Sequence, residues 1–226
     1  MYIIKNQLDT YNVFLMPGMA ANSKIFEFIK LPKNFKFHYL EWFQPNKEED
    51  LKSYVNRLSK KINGKNIILV GVSFGGIIVQ ELSKIIRVKK VIIISSVKSR
   101  HELPLMMQLS KKTKAYKFLP LNWIDDFESL VTFVFGPMIK KRISLYRKYL
   151  SFRDENYLKW SIHQIVNWEQ DRPDKKTIHI HGTHDLVFPS IYIKNAIFVK
   201  GGNHAMILRK AAWFNENLPK LIIVGF

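Results

Sequence analysis

Hydrophobic positions fall into two alternating rhythms, first up to about residue 98 and again from about residue 173. Short unbroken apolar runs stand at Val13-Phe14-Leu15-Met16, Ile67-Ile68-Leu69-Val70 and Val91-Ile92-Ile93-Ile94. Runs of this length with no polar face predict strands covered on both sides. Residues 35–42 instead alternate aromatic and polar side chains and predict a further strand, ending before a turn near Pro45-Asn46. Between strands, residues 48–62 place Leu51, Val55, Leu58 and Ile62 at helical spacing, and Asn63-Gly64 supplies a stop. A helical rhythm also follows Gly75, through Ile77, Ile78, Val79 and Leu82. Strand patterns return at 177–181 and 196–199, and a last helix is predicted over 205–218. Strands alternating with helices predict an α/β fold, a mostly parallel doubly wound sheet.

The pattern changes between residues 99 and 172. No strand repeat is visible there, and helices are predicted over 104–117, 125–135, 137–151 and 154–169. This stretch is rich in large apolar residues. Most of them suit ordinary helix packing, but a helical insertion lying over the sheet edge would form a lid with some of them facing a cavity. The expected organisation is therefore a core of 1–98 and 173–226 with a helical cap insertion at 99–172. Met106, Phe133, Trp160 and Trp168 are the candidate pocket residues.

Composition narrows the class. The chain has 226 residues, 47% of them hydrophobic, ample for a packed core with one insertion. It has no cysteine, which excludes disulfides and thiolate metal sites and suits a reducing compartment. Met1-Tyr2-Ile3-Ile4-Lys5 lacks the apolar core of a secretory signal, and no apolar run approaches the roughly 20 residues that span a bilayer. No membrane span is expected, and a cytoplasmic location is. The formal net charge of +18 raises the question of nucleic acid. The basic residues are spread along the chain, mostly lysine, and the dense clusters 111–114 and 140–142 belong to no recognisable nucleic-acid module. Nucleic acid is not the expected partner, although a basic surface would favour acidic substrates or partners.

The candidate chemistry begins at Gly71-Val72-Ser73-Phe74-Gly75, a G-x-S-x-G between a buried strand and a helix. A strand that turns sharply into a helix at a serine is a nucleophile elbow, and its glycines let neighbouring backbone pass close to the strained turn. A serine hydroxyl needs a histidine base and an acid to hold the imidazole. In a doubly wound sheet these belong in loops at the carboxyl ends of later strands. His204, in Gly201-Gly202-Asn203-His204, lies between the last strand and the last helix. Asp185, in His181-Gly182-Thr183-His184-Asp185, follows the preceding strand. Taken alone, Asp185 reads equally well as the cap of a short helix beginning near Pro189, and an N-terminal helix residue with no catalytic role is the alternative for His204; together, in the order Ser, Asp, His, they read as a triad. Asp171 and Asp174 precede their strand and stand at the wrong end. His179 and His181 lie on one strand face with no carboxylate pair at a recognised ligand spacing, so no metal is expected, and the chemistry calls for no cofactor. Backbone donors for an oxyanion are expected at Phe74, after the nucleophile, and at Met19, in the loop after the first strand.

These segments resemble the α/β-hydrolase superfamily: G-V-S-F-G-G the elbow, H-G-T-H-D-L-V-F-P the acid loop, G-G-N-H-A-M the histidine loop. The resemblance covers nearly the whole chain, with 99–172 as the cap, and it implies an α/β-hydrolase fold. One departure is that many relatives carry His-Gly where this chain has Pro17-Gly18. The resemblance implies hydrolysis of a small-molecule carboxylic ester through an acyl-enzyme on Ser73, with an apolar acyl or alcohol part. A thioesterase on the same triad and a low-turnover ligand-binding or signalling member of the fold are the alternatives.

Overall fold

The structure is a computed structural model that describes residues 10–118 and 147–224. The helix predicted at 125–135, most of that at 137–151, and Phe133 lie outside the described residues. Among these residues six strands form one sheet: β1 (Tyr11–Met16), β2 (Phe35–Tyr39), β3 (Ile67–Val72), β4 (Lys90–Ile94), β5 (Thr177–Gly182) and β6 (Ile197–Val199). Their order is β2-β1-β3-β4-β5-β6, and every pairing is parallel. The central strands explain their own composition. All of β3 is buried, and the side chains of Val91 to Ile94 in β4 are fully enclosed, as strands with a layer on each face must be.

Among the described residues the α-helices are α1 (Leu51–Ser59), α2 (Phe74–Ile85), α3 (Leu105–Thr113), α4 (Glu155–Val166), α5 (Met206–Arg209) and α6 (Ala211–Ile223). α1 is shorter than its apolar spacing predicts. Glu48 takes a left-handed conformation (φ 56°), and Asp50 caps the helix by accepting a 2.7 Å hydrogen bond from the Ser53 N–H. The last helix is divided, because Lys210 is non-helical (φ −115°, ψ 27°), and α6 then runs through Pro219 to Ile223. The second strand ends at Tyr39, short of 42. Leu40 still donates to the Leu15 carbonyl, but Trp42 is packed in the core.

The sheet reverses its winding between β1 and β3, since β2 lies on one side of β1 and β3 on the other. Loops leaving the carboxyl ends of β1 and β3 therefore diverge, and the crevice between them is where ligands bind in open α/β sheets. Register aligns these ends, pairing Met16 with Gly71 and Gly182 with Val199. Between β4 and β5 the described residues contain α3, a 3-10 turn at Ala115–Phe118 and α4, with no strand of the sheet. An antiparallel bridge between Ala21 and Leu150 ties this segment to the loop after β1. No helix among the described residues is long and apolar enough to cross a membrane.

Candidate active site

Ser73 sits between β3 and α2 with φ 54° and ψ −122°, a conformation that costs a residue with a side chain about 1–3 kcal/mol. The surroundings hold it there. Its N–H donates to the Ile94 carbonyl (2.9 Å), and its own carbonyl accepts from the Gly76 N–H (2.8 Å) and the Ser96 hydroxyl (2.7 Å). The flanking glycines are required by contact. A Cβ on Gly71 would stand 2.2 Å from the Gly75 carbonyl oxygen, and one on Gly75 would stand 2.4 Å from the Pro17 carbonyl oxygen. The elbow is thus clamped between its own first helical turn and the loop after β1.

The three loops bring their side chains into one hydrogen-bonded run. Ser73 Oγ lies 2.9 Å from His204 Nε2, and His204 Nδ1 lies 2.9 and 3.1 Å from the two oxygens of Asp185. Both His204 and Asp185 are buried. Asp185 Oδ1 also accepts the N–H groups of Val187 and Phe188, each at 2.9 Å, so its turn closes on its own carboxylate. Burial opposes the charge of Asp185. The facing His204 imidazole and its hydrogen bond, with smaller contributions from His181 and the Phe188 N–H, more than offset that penalty and hold the carboxyl below its ordinary value.

Behind Asp185 lie two further histidines. His181 Nε2 is 2.8 Å from the Phe188 carbonyl oxygen, which only accepts, so this nitrogen carries the proton. His181 Nδ1 is then the acceptor for His179 Nε2 at 3.2 Å. The pair interlocks inside the core and steadies the 185–188 turn from beneath. Burial drives both downward, His179 well below its ordinary value, against the pull of Asp185 on His181. Among the described residues no group of three or more His, Cys, Asp or Glu side chains could hold a metal ion. Asp171, by contrast, pairs on the surface with Arg100 and His101.

The loop after β1 lies against the serine: a Cβ on Gly18 would stand 3.3 Å from Ser73 Cβ. This is the loop that carries Met19. Its carbonyl at Gly18 accepts hydrogen bonds from Trp42 Nε1 (2.8 Å) and from the Ala21 N–H (3.1 Å). Among the described residues neither the Met19 nor the Phe74 N–H has a backbone acceptor.

A cavity of about 430 Å³ opens in front of Ser73 and His204. Met19, Val187, Phe188 and Leu208 wall it from the sheet side. Met106 and Met107 of α3 and Ile162, Ile165 and Val166 of α4 wall it from the segment between β4 and β5. Among its described lining, the polar side chains are Ser73, His204, Ser110 and Tyr116. Of the candidate pocket residues, Met106 lines this cavity. Trp160 and Trp168 do not, which corrects their expected place. Trp160 donates to the Glu49 carbonyl and packs against Tyr54 and Phe74, and Trp168 donates to Glu81. Each indole N–H needs an acceptor on leaving water, and those acceptors lie away from the cavity. Phe133 lies outside the described residues. Ser96, Trp42 and His181 were not singled out by the sequence for the roles they hold around Ser73. Ser96 alone had a local signal, its position just after β4 beside the elbow strand.

No family model matches the chain, and no curated protein sequence matches it. Solved structures do. A hydrolase from Pseudomonas aeruginosa is 15% identical with a TM-score of 0.69, over 95% of this chain and 91% of that one. An esterase from a Rhodococcus species is 14% identical with a TM-score of 0.65, over 96% and 92%. A bromoperoxidase from Bacillus anthracis is 19% identical with a TM-score of 0.62, over 94% and 92%. At these identities the likeness is one of fold.

Proposed function

We propose that this chain, which has the α/β-hydrolase fold, is a serine hydrolase that cleaves a carboxylic ester through an acyl-enzyme on Ser73. The observation that carries the reading is the unbroken run from Ser73 Oγ through His204 to Asp185, opening on an apolar cavity. That two of the fold neighbours are described as an esterase and a hydrolase supports it.

In this reading Ser73 Oγ attacks the acyl carbonyl while His204 Nε2 takes its proton. The oxyanion that forms meets the N–H groups of Met19 and Phe74. Collapse breaks the carbonyl carbon–alkoxide bond, His204 returns the proton to the departing alcohol, and the acyl group stays on Ser73. Water then attacks, giving its proton to the same nitrogen. The acid leaves, and Ser73 regains its hydrogen. Asp185 stays ionised throughout, a state that the facing His204 and its hydrogen bond favour, and stabilises the imidazolium. The residues between 99 and 172 serve as the cap. Their described helices supply Met106, Met107 and Ile165 to the cavity wall, and this apolar lining selects an apolar acyl or alcohol group.

The test is covalent labelling by a fluorophosphonate, followed by a panel of acyl esters and acyl thioesters of graded chain length. A thioester offers Ser73 the same carbonyl, so the panel also ranks that chemistry. Labelling of the wild type and not of Ser73→Ala, with turnover of apolar esters, is expected. Failure to label, or equal labelling of Ser73→Ala, would overturn the reading.

A further inference from the structure

We infer that Trp42 is a positioning residue for the oxyanion site: its indole N–H holds the Gly18 carbonyl and thereby aims the Met19 N–H at Ser73. The inference rests on the hydrolase reading above.

A peptide unit is planar and trans, so its C=O and N–H point in opposite directions. The Gly18–Met19 unit presents its oxygen to Trp42 Nε1 at 2.8 Å and to the Ala21 N–H at 3.1 Å. Its N–H is therefore turned away from Trp42. Gly18 itself abuts the nucleophile, because a Cβ there would stand 3.3 Å from Ser73 Cβ and 3.9 Å from Ser73 Oγ. Glycine accepts either sense of an adjoining peptide at little cost, so the direction of this unit is set by what its oxygen meets. Pro17 contributes nothing, having neither a backbone N–H nor a polar side chain. The Ala21 N–H closes the turn on this oxygen from within the loop, and Trp42 Nε1 holds it from outside at the shorter distance.

The same indole packs on the side chain of the residue that carries the second donor. It stacks on the Phe74 ring with centroids 5.2 Å apart and planes within 8°. One side chain thus touches the residue after the nucleophile by stacking and the loop before Met19 by hydrogen bonding. Trp42 is buried and is not among the described residues that line the cavity, so it acts through the Gly18 carbonyl and the Phe74 ring and not on substrate. Tyr54 and Tyr157 pack against the indole at 6.3 and 5.3 Å, which limits its rotation.

Trp42→Phe keeps the stack and removes the N–H. For the best ester of the panel, kcat per fluorophosphonate-titrated site is expected to fall about 10–100-fold with KM nearly unchanged, the signature of an interaction made in the transition state. Affinity for an alkylboronic acid, whose Ser73 adduct is tetrahedral and anionic, is expected to fall by a similar factor. Affinity for the neutral alcohol product is expected to stay the same. A purely structural role would lower the titratable fraction and leave kcat per site and boronate affinity intact, and that result would overturn the inference. Should Trp42→Phe fail to fold, benzothienylalanine at position 42 keeps the ring shape without the N–H and must show the same losses. Wild-type protein that neither labels nor turns over would instead sink the hydrolase reading itself, and this one with it.

Discussion

α2 begins at the serine and α3 walls the cavity in front of it, yet the two helices are held in opposite ways. α2 buries Phe74 through Gln80 and Leu82, and its first turn is wedged against β1 and β4 by glycines with no room for a side chain. α3 buries no residue at all. Met106 is 76% exposed and Leu105 55%. Reacting groups must be kept within about half an ångström of their working geometry, and dense packing provides that. A wall that only excludes water and accepts apolar groups needs no such precision. Under the proposed function, the chemistry and the choice of substrate fall to parts packed very differently and should respond separately to substitution.

The largest effect should come from the rigid side. Asp185→Asn keeps the shape and loses the charge that, in the proposed mechanism, stabilises the imidazolium, and kcat is expected to fall about 10⁴-fold, read by steady-state kinetics with circular dichroism confirming the fold. Gly71→Ala comes next. Its methyl group would collide with the Gly75 carbonyl at 2.2 Å, and overpacking of this kind costs about 3 kcal/mol or more. For a chain of this size that is roughly 6–12 °C in Tm, with fluorophosphonate labelling lost in parallel. On the open side, Met106→Ala should shift kcat/KM between short and long acyl chains by about tenfold. It should leave Tm within about 1–2 °C, since an exposed substitution stays within about 0.5 kcal/mol. If Met106→Ala cost as much stability as Gly71→Ala, the contrast between the two helices would collapse.

A smaller and pH-dependent effect should separate the core histidines from the surface. Burial lowers His179 well below its ordinary value of 6.5 and lowers His181 too. As pH falls below 6.5 the unfolded chain takes up protons that the folded chain refuses. The stability tied to these neutral imidazoles is thus complete above that pH and is lost as pH falls from it toward the lowered folded values. Thermal melts between pH 8 and pH 5 should show Tm declining on the acid side. His179→Gln, which keeps a donor toward His181, should flatten that decline.

How much of this was legible along the chain depends on the range of the interaction. The elbow is local: strand, Gly71, Ser73, Gly75 and helix follow one another, so sequence order carries the physics. Asp185 and His204 were legible because parallel strands return every later loop to the same edge, which turns chain order into spatial proximity. The cavity wall was not. Trp160 and Trp168 have the size and spacing of pocket residues, but a single hydrogen-bond acceptor, Glu49 for one and Glu81 for the other, draws each indole elsewhere. Nothing near them in the chain announces those partners. Trp42 is the converse case, an unremarked residue at the end of an aromatic run that acquires its place from a carbonyl 24 residues away.

The residues alone were enough to state the alternation of strands and helices and the order of serine, acid and histidine, because both rest on neighbours in the chain and on the regular return of a parallel sheet. Packing assigned what depends on distant partners: the all-parallel order β2-β1-β3-β4-β5-β6, the glycine contacts that clamp the elbow, the direction of the Gly18–Met19 peptide and the membership of the cavity wall. Close contact fixed the glycines, and buried hydrogen bonds fixed the tryptophans and the Gly18–Met19 peptide. An unsatisfied N–H or C=O in the interior costs about 1–3 kcal/mol, more than most side-chain preferences, so the indoles of Trp42, Trp160 and Trp168 go where their acceptors are.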